Sequence, residues 1–206
     1  FQVEEYEEHF ELVIAEKNYK MLYDGQFIFY GDTFYQLNPQ QIRLIKALRE
    51  LPIEHDRLKR LQFDLSERTK LASSLSEFKK VGRVEAPESM MIHDFTAKFD
   101  FDIGPDKRLI LDTVFDYGDR KVTTRKDLER LPFAGNFEHE QQVFKQMLQA
   151  GFVADFYSQR PPLKPEEIYH FFSEVIPNFE ALGRVSMTEE LEALAQTESP
   201  RITVKM

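Results

Sequence analysis

The feature that most limits what this chain can fold into is a segment in which apolar and charged residues alternate strictly. Three apolar residues alternate there with three charged ones: Phe99, Phe101 and Ile103 with Lys98, Asp100 and Asp102. A period of two places the apolar side chains on one face of an extended strand and the charged side chains on the other. Turn sequences at 104–107 and 117–119 follow, and each leads into a further strand-like stretch. The sequence therefore predicts a half-exposed antiparallel meander over 95–124.

The residues before this meander predict short strands and helices. Asp24-Gly25 lies between two aromatic-rich stretches and is a strong turn signal, so it predicts a β-hairpin. Apolar residues at helical spacing predict one helix over 39–50 and another over about 66–80, with a short apolar stretch at 61–65 between them. The first sixteen residues are rich in Glu, and we interpret them as a solvated acidic lead-in or as the polar side of a helix.

The residues after the meander predict two helices separated by a strand. Asn136 caps the first helix, and a strand over 152–157 follows it. The predicted buried residues of this helix are Val143, Phe144, Met147 and Leu148. Pro165 starts a long helix with a wide apolar face. Because proline has no amide hydrogen to donate, Pro177 should kink or interrupt that helix.

The two ends of the chain predict that it belongs to a larger parent. Ser186 with Glu189 resembles a capping box for a short last helix. After it comes an alternating, strand-like stretch at 201–206 with nothing following it to pair with, and the chain opens on Phe1 without an initiator Met.

The two halves of the chain share an order of elements. Tyr30-Gly31-Asp32 matches Tyr117-Gly118-Asp119, and each half has a Phe four residues before a Gly-Arg-Val. A structural repeat and chance both account for two such short matches. With the repeat, the sequence predicts an α+β fold of two similar αβ halves, with antiparallel or mixed sheets and packed helices. The predicted domains are the lead-in over 1–16, a first half over 17–90 and a second half over 91–206, together one region.

Composition excludes several classes of protein. Hydrophobic residues make up 42% of the chain and aromatic residues 13%, which is too apolar for a disordered protein. No run approaches the roughly 20 apolar residues of a membrane-spanning helix, and no N-terminal segment resembles a signal peptide. The absence of cysteine excludes disulfides, Cys-ligated zinc, iron–sulfur clusters and thiol nucleophiles within this chain. We therefore predict a soluble, cytoplasmic protein without a membrane partner.

Sequence motifs for catalysis are missing. The chain has no phosphate-binding loop of the form G-x-x-x-x-G-K-[ST], no G-x-S-x-G and no H-E-x-x-H. Asp100 and Asp102 share one strand face with their alpha-carbons ~7 Å apart, which suits a divalent cation, but their alternation with apolar residues favours a solvated strand face. The five histidines are too widely spaced to offer a local ligand pair. We predict no catalytic residue, no metal site and no cofactor in this chain.

A basic stretch is the best local candidate for a binding surface. The chain has 27 basic and 36 acidic residues and a net charge of −9, so any contact with nucleic acid must be local. Between residues 57 and 83, eight basic residues stand against three acidic ones. The predicted nucleic-acid-binding residues are Arg57, Lys59, Arg60, Arg68, Lys70, Lys79, Lys80 and Arg83. The same residues also fit the solvated side of a helix.

A smaller basic cluster allows the same two interpretations. It consists of Arg120, Lys121, Arg125, Lys126 and Arg130. Neither cluster interleaves with aromatic residues in a pattern that indicates base stacking.

Several motifs of the second half resemble the helicase-associated region of bacterial SWI/SNF-type ATPases. They are Tyr117-Gly118-Asp119, Arg125-Lys126-Asp127, the helix from Glu140 to Leu148, Gly151-Phe152, Phe171, Leu182-Gly183 and Val185. The similarity runs over about 90–190, and the first half fits more loosely. The resemblance implies a parent with two RecA-like motor lobes that couples ATP hydrolysis, with magnesium, to movement along double-stranded DNA.

The resemblance implies a non-catalytic accessory segment that positions or regulates the motor lobes of its parent and contacts double-stranded DNA through the 57–83 stretch. No catalytic residue of the family carries over to any position here. Two alternatives stay open. A free-standing αβ enzyme would gather Asp100, Asp102 and a histidine in a deep pocket, and a protein–protein interaction module would expose an apolar patch away from the basic stretch.

Overall fold

The protein has a mixed α+β architecture, which a computed structural model describes for residues 1–13, 19–39, 41–43, 46, 60–76, 79 and 83–197. The chain forms two compact units. Unit 1 comprises Phe1–His93 with Glu129–Phe137, and unit 2 comprises Asp94–Leu128 with the residues from Glu138 onward. The domain boundaries predicted from the sequence, at 1–16, 17–90 and 91–206, stay a prediction.

The described residues of unit 1 form three small sheets. Its strands are β1 (Gln2–Glu5), β2 (His9–Val13), β3 (Tyr19–Leu22), β4 (Phe27–Tyr30), β5 (Thr33–Gln36), β6 (Arg60–Asp64) and β7 (Ile92–His93). One antiparallel sheet has the order β1-β2-β6 and another the order β3-β4-β5. The third pairs β7 in parallel with a short strand at Ala134–Gly135.

The first residues correct a prediction, because they form strands rather than a solvated lead-in or a helix. Val3 in β1 and Phe10 and Leu12 in β2 are buried in the core of unit 1. Each alternates with charged or polar neighbours, which is the strand period. A high content of Glu does not distinguish a solvated segment from a strand with Glu on its exposed face, and the second case holds here.

The predicted hairpin around Asp24-Gly25 is confirmed as β3 and β4. Its turn is longer than two residues, since Tyr23, Asp24 and Gly25 all have positive φ. The next helix begins as predicted: the Asn38 side chain accepts from the amide of Gln41 at 2.8 Å, and the Gln41 side chain accepts from the amide of Asn38 at 3.0 Å. The predicted end of that helix near 50 lies outside the described residues.

A helix follows β6 as the sequence predicts. A 3-10 turn over Leu65–Glu67 leads into α1 (Arg68–Ser76), and Leu71, Ala72 and Leu75 of α1 are buried. The predicted end of this helix at 77–80 falls largely outside the described residues.

Unit 2 is built on one five-stranded sheet. Its strands are β8 (Thr96–Ile103), β9 (Leu109–Asp116), β10 (Lys121–Val122), β12 (Tyr157–Arg160) and β13 (Gly183–Met187), with β11 being the Ala134–Gly135 strand of unit 1. The sheet follows the order β10-β9-β8-β13, and β12 also pairs with β9. The predicted antiparallel meander is confirmed as β8, β9 and β10.

The helices of unit 2 cover this sheet with aromatic side chains. In chain order they are α2 (Arg125–Glu129), α3 (Phe137–Gln149), α4 (Pro165–His170), α5 (Ile176–Glu180) and α6 (Glu189–Thr197). Phe99 and Phe101 of β8 lie 4.9 and 5.2 Å, ring centroid to ring centroid, from Phe179 of α5. Phe115 of β9 lies 5.6 Å from Phe144 of α3 in the same way. The exposed partners of β8, Asp100 and Asp102, face away from this core.

The interruption predicted at Pro177 is confirmed. A π-helical segment, Phe171–Val175, joins α4 to α5. Within it the amide of Ile176 donates to the carbonyl of Phe171, five residues earlier. The extra residue per turn lets the chain continue into α5 although Pro177 donates no hydrogen bond.

Three local predictions for unit 2 are wrong. The strand expected over 152–157 lies later in the chain, at β12. The Phe152 and Phe156 side chains are buried outside any strand, and the ladder with β9 begins only at Tyr157. Leu148 is 60% exposed rather than buried. Ser186 lies in β13, and α6 begins directly after Thr188, whose carbonyl accepts from the amide of Glu192.

The two units do not show two similar αβ halves. Unit 1 divides its described strands among three sheets, whereas unit 2 has one sheet that contains a parallel pair, β13 with β8. Among the described residues, no helix is long and apolar enough to cross a membrane.

Candidate functional site

The predicted basic residues of unit 1 have unequal surroundings. Arg57, Lys59 and Lys80 lie outside the described residues. Arg60, at the start of β6, places Nη1 2.9 Å from Oε2 of Glu11 and 4.0 Å from Oε2 of Glu4. The hydrogen bond from Arg60 lowers the pKa of Glu11. The charge of Arg60 is therefore largely balanced within its own sheet.

Arg68 belongs to the interior of unit 1. It is 8% exposed, Nη2 lies 3.0 Å from Oε1 of Glu5, and Nη1 donates to the carbonyl oxygen of Leu131. Its guanidinium carbon lies 5.1 Å from the ring centroid of Phe10. A side chain held in this way fastens β1 and α1 to the 131 segment and is poorly placed to meet a phosphate.

Four predicted residues are exposed in the described part of unit 1, and one of them, Arg60, is already paired with Glu11. Lys70 and Lys79 are exposed and have no ion pair with another described residue. Arg83 is exposed, with Nη2 2.6 Å from Oε1 of Glu85. Among the described residues of the predicted interface, Lys70 and Lys79 are thus the most available cations.

The smaller basic cluster also has a structural member. Arg125 lies at the start of α2, and its guanidinium carbon is 3.8 Å from the ring centroid of Phe144, while Nη2 donates to the carbonyl oxygen of Ala154. Arg120, Lys121 and Lys126 are exposed in unit 2. Arg130 is exposed in unit 1.

The acidic pair on β8 is engaged with the neighbouring strand end. Asp100 accepts a hydrogen bond from the Ser186 hydroxyl, and Asp102 accepts one from the Thr188 hydroxyl at 2.9 Å. Among the described residues, no three His, Cys, Asp or Glu side chains are placed to hold a metal ion together. The solvated-strand interpretation of Asp100 and Asp102 accounts for these contacts.

Unit 2 contains a buried acid whose pKa is strongly raised. Glu140, in the first turns of α3, is 5% exposed, and its Oε1 accepts from the Tyr117 hydroxyl at 3.3 Å. Burial raises the pKa of Glu140 to about 7, although the Tyr117 hydrogen bond and the positive charges of Arg125 and His139 act in the opposite direction. Burial and the Glu140 carboxylate raise the pKa of Tyr117.

His139 lies beside Glu140 and joins two further segments. Its Nδ1 is 3.0 Å from Oδ1 of Asp94, and its Nε2 is 3.2 Å from the carbonyl oxygen of Leu182. The ring stacks on Phe95, with centroids 4.2 Å apart and planes 13° apart. We name the four residues Asp94, Tyr117, His139 and Glu140 the polar cluster of unit 2.

The sequence contains a signal for this cluster, although the cluster matches no catalytic motif. Glu140 stands at the head of a helical series that continues with the buried residues Val143, Phe144 and Met147. A carboxyl on the apolar stripe of a helix must find a partner, because its charged form is costly to bury. Tyr117, which supplies that partner, and Glu140 both belong to the motifs that carry the family resemblance.

The comparison with protein families gives a match over the whole chain. Residues 1–206 match the family model described as bacterial SNF2 helicase associated. No curated protein and no solved structure matches the chain.

Proposed function

The chain belongs to the bacterial SNF2 helicase-associated family, and from that premise we propose that it is a non-catalytic segment that positions or regulates the motor lobes of its parent and contacts double-stranded DNA. The family match over 1–206 is the observation that carries this proposal. ATP and magnesium belong, in this proposal, to the motor lobes and not to this segment.

We propose that the DNA contact uses the exposed cations of the 57–83 stretch. Besides Arg60, its described exposed members are Lys70, Lys79 and Arg83, and Arg57, Lys59 and Lys80 extend it in sequence. Arg60 and Arg68 take part less, because Glu11 and Glu5 already balance their charges. Lysine and arginine on such a surface bind phosphates by displacing counterions, so affinity should fall steeply with salt.

The test is binding to fluorescent double-stranded DNA across a salt series. The variant Lys70→Glu with Lys79→Glu should lose most of the affinity and flatten the salt dependence, by about one unit of slope for each phosphate contact removed. The control is Lys145→Glu with Arg184→Glu, which makes the same change of charge at exposed positions of unit 2. Equal losses in both variants would show a nonspecific effect of net charge and contradict a contact through unit 1.

A further variant, Lys121→Glu with Lys126→Glu, tests the smaller basic cluster. Loss of binding in this variant alone would move the DNA contact to unit 2. Absence of binding by the unaltered chain at low salt would remove the DNA contact and leave the positioning or regulatory role.

A second candidate function is a protein–protein interaction module, which an apolar sheet face of unit 1 favours. Phe34 of β5 is 63% exposed and lies 4.8 Å, centroid to centroid, from Phe29 of β4. Ile28, which stands between Phe27 and Phe29 in β4, is instead buried in the core of unit 1. We propose the motor lobes of the parent as the partner of this face. Phe34→Ser should weaken their association in the parent protein and leave DNA binding unchanged.

The alternative of a free-standing enzyme has less support. It requires Asp100, Asp102 and a histidine in one pocket, whereas in the described part of the chain these aspartates accept hydrogen bonds from Ser186 and Thr188.

A further inference from the structure

Each nitrogen of the His139 ring faces a hydrogen-bond acceptor. Nδ1 faces the Asp94 carboxylate at 3.0 Å and Nε2 faces the Leu182 carbonyl oxygen at 3.2 Å. A neutral imidazole donates from only one nitrogen, whereas an imidazolium donates from both. The observed geometry is therefore satisfied completely only when the ring carries its second proton.

The two bonds of His139 are unequal. Asp94 is a charged and exposed partner, while the Leu182 carbonyl is part of the backbone immediately before β13. When the ring is neutral, a carboxylate at Nδ1 favours keeping the proton on that nitrogen. The lone pair of Nε2 then faces the Leu182 oxygen, and the bond to the backbone is lost.

The neighbouring acid, Glu140, interacts electrostatically with His139. Glu140 is buried beside His139, and its carboxyl accepts from Tyr117 at 3.3 Å. Arg125 from α2 and His139 favour the Glu140 carboxylate, while Asp94 acts on Tyr117 with the opposite sign of charge. The charged form of His139 therefore favours the ionised form of Glu140, and burial opposes it.

The polar cluster lies where three segments of unit 2 begin. Asp94 is the first residue of unit 2 after the chain leaves unit 1, and the chain returns to unit 2 at Glu138, one residue before His139. Leu182 immediately precedes β13, which pairs in parallel with β8. The contacts of His139 therefore join the starts of two segments to the edge strand of the unit 2 sheet.

We propose that the polar cluster of unit 2 is a proton-dependent latch, closed when His139 donates to both Asp94 and the Leu182 carbonyl and open at β13 when the ring loses its second proton. The latch couples the attachment of β13 and the first turn of α3 to the protonation of this ring. It acts whether or not the segment contacts DNA.

The test follows the ring nitrogens of His139 by NMR in the whole chain as the pH is raised from about 5.5 to 8.5. Both nitrogens should carry protons at low pH, and Nε2 alone should lose its proton at high pH. Backbone amides over 182–185 should then exchange faster, by up to about tenfold per pH unit after correction for intrinsic exchange, which is the limit for one linked proton. An Nε2–H ring throughout, or exchange that does not change with pH, would overturn the latch.

Two variants keep the test decisive. His139→Gln should remove the pH dependence of exchange at 182–185, and His170→Gln, which changes an exposed histidine of α4, should leave it intact. If His139→Gln does not fold, Asp94→Asn replaces it, because Asp94 is exposed; loss of the carboxylate should shift the opening to lower pH. An unshifted opening in Asp94→Asn, or a retained pH dependence in a folded His139→Gln, contradicts the proposal.

Discussion

The hydroxyl of Tyr117 donates a hydrogen bond to Oε1 of Glu140 at 3.3 Å and so joins the turn after β9 to the first turns of α3. Both residues lie in motifs by which the sequence resembles its family. Two motif residues that lie 23 positions apart in the chain therefore meet in the polar cluster of unit 2. A structural reason for these residue types follows, because an acid at a buried helix position needs a donor.

Glu140 makes the stability of the protein dependent on pH. Burial raises its folded-state pKa to about 7 from an ordinary 4.5, so between these values the folded state binds more protons than the unfolded state. Stability should therefore fall as the pH rises through this window and change little beyond it. Glu140→Gln cannot ionise and should remove a penalty of up to about 3 kcal/mol at pH 8, measured by urea denaturation at several pH values.

A second acid of unit 2, Glu167, provides a control because its pKa shifts in the opposite direction from that of Glu140. Glu167 accepts from the amide of Lys164 at 2.9 Å, and this bond lowers its pKa. Its contribution is present above its ordinary pKa and is lost as the pH falls through the lowered value. Glu167→Gln should thus change the acidic side of the stability profile and leave the window of Glu140 unaltered. A flat difference between Glu140→Gln and the unaltered chain across that window would contradict the assignment.

Arg68 should contribute to stability rather than to DNA binding. Arg68→Ala removes the partner of Glu5 and leaves the Leu131 carbonyl without its donor, so we expect a loss of about 3 kcal/mol or somewhat less, since Glu5 is partly exposed. Lys70→Ala on the same helix is exposed and should change stability by less than about 0.5 kcal/mol. Denaturant unfolding of both variants measures the contrast, and similar losses would sink it.

The contrast also shows what a sequence can tell about a surface. Charge counting placed Arg68 and Lys70 in one basic stretch, because it reads only local neighbours. The partner of Arg68 is Glu5, 63 residues away. Such a pairing depends on how β1 and α1 pack, and no local pattern carries that information.

The same distinction separates the predicted strands from the missed ones. The meander of β8 and β9 was predictable, since β8 has an alternating pattern and a short turn leads from it into the apolar β9. β12 is polar, Tyr157-Ser158-Gln159-Arg160, and joins the sheet by pairing with a distant β9. β13 is short, lies at the sheet edge and pairs in parallel with β8 from 86 residues away. Nonlocal pairing fixes both strands, and propensity does not.

The cap of α2 gives a prediction of moderate size. The Thr124 hydroxyl lies 2.7 Å from Oδ2 of Asp127 and 3.1 Å from its amide nitrogen, as expected of an N-cap. Thr124→Ala should cost about 1 kcal/mol, because the first turn loses its acceptor. The neighbouring Thr123→Ala, also exposed, should be close to neutral. Thermal unfolding of both variants makes the comparison, and equal effects would rule out the cap as the cause.

Gly183 is required by the close approach of β13 to β8. A Cβ at this position would lie 2.2 Å from the backbone oxygen of Ala97, closer than any real contact, and backbone cannot swing aside as a flexible side chain does. Gly183→Ala should therefore displace β13 from its parallel ladder and cost at least about 2 kcal/mol. Gly118→Ala provides the comparison, since its φ is +89° with open space around it, and should cost about 1 kcal/mol from backbone strain alone. Denaturant unfolding ranks the two, and amide exchange over 183–187 should rise in Gly183→Ala only; the reverse order would show that β13 does not depend on this contact.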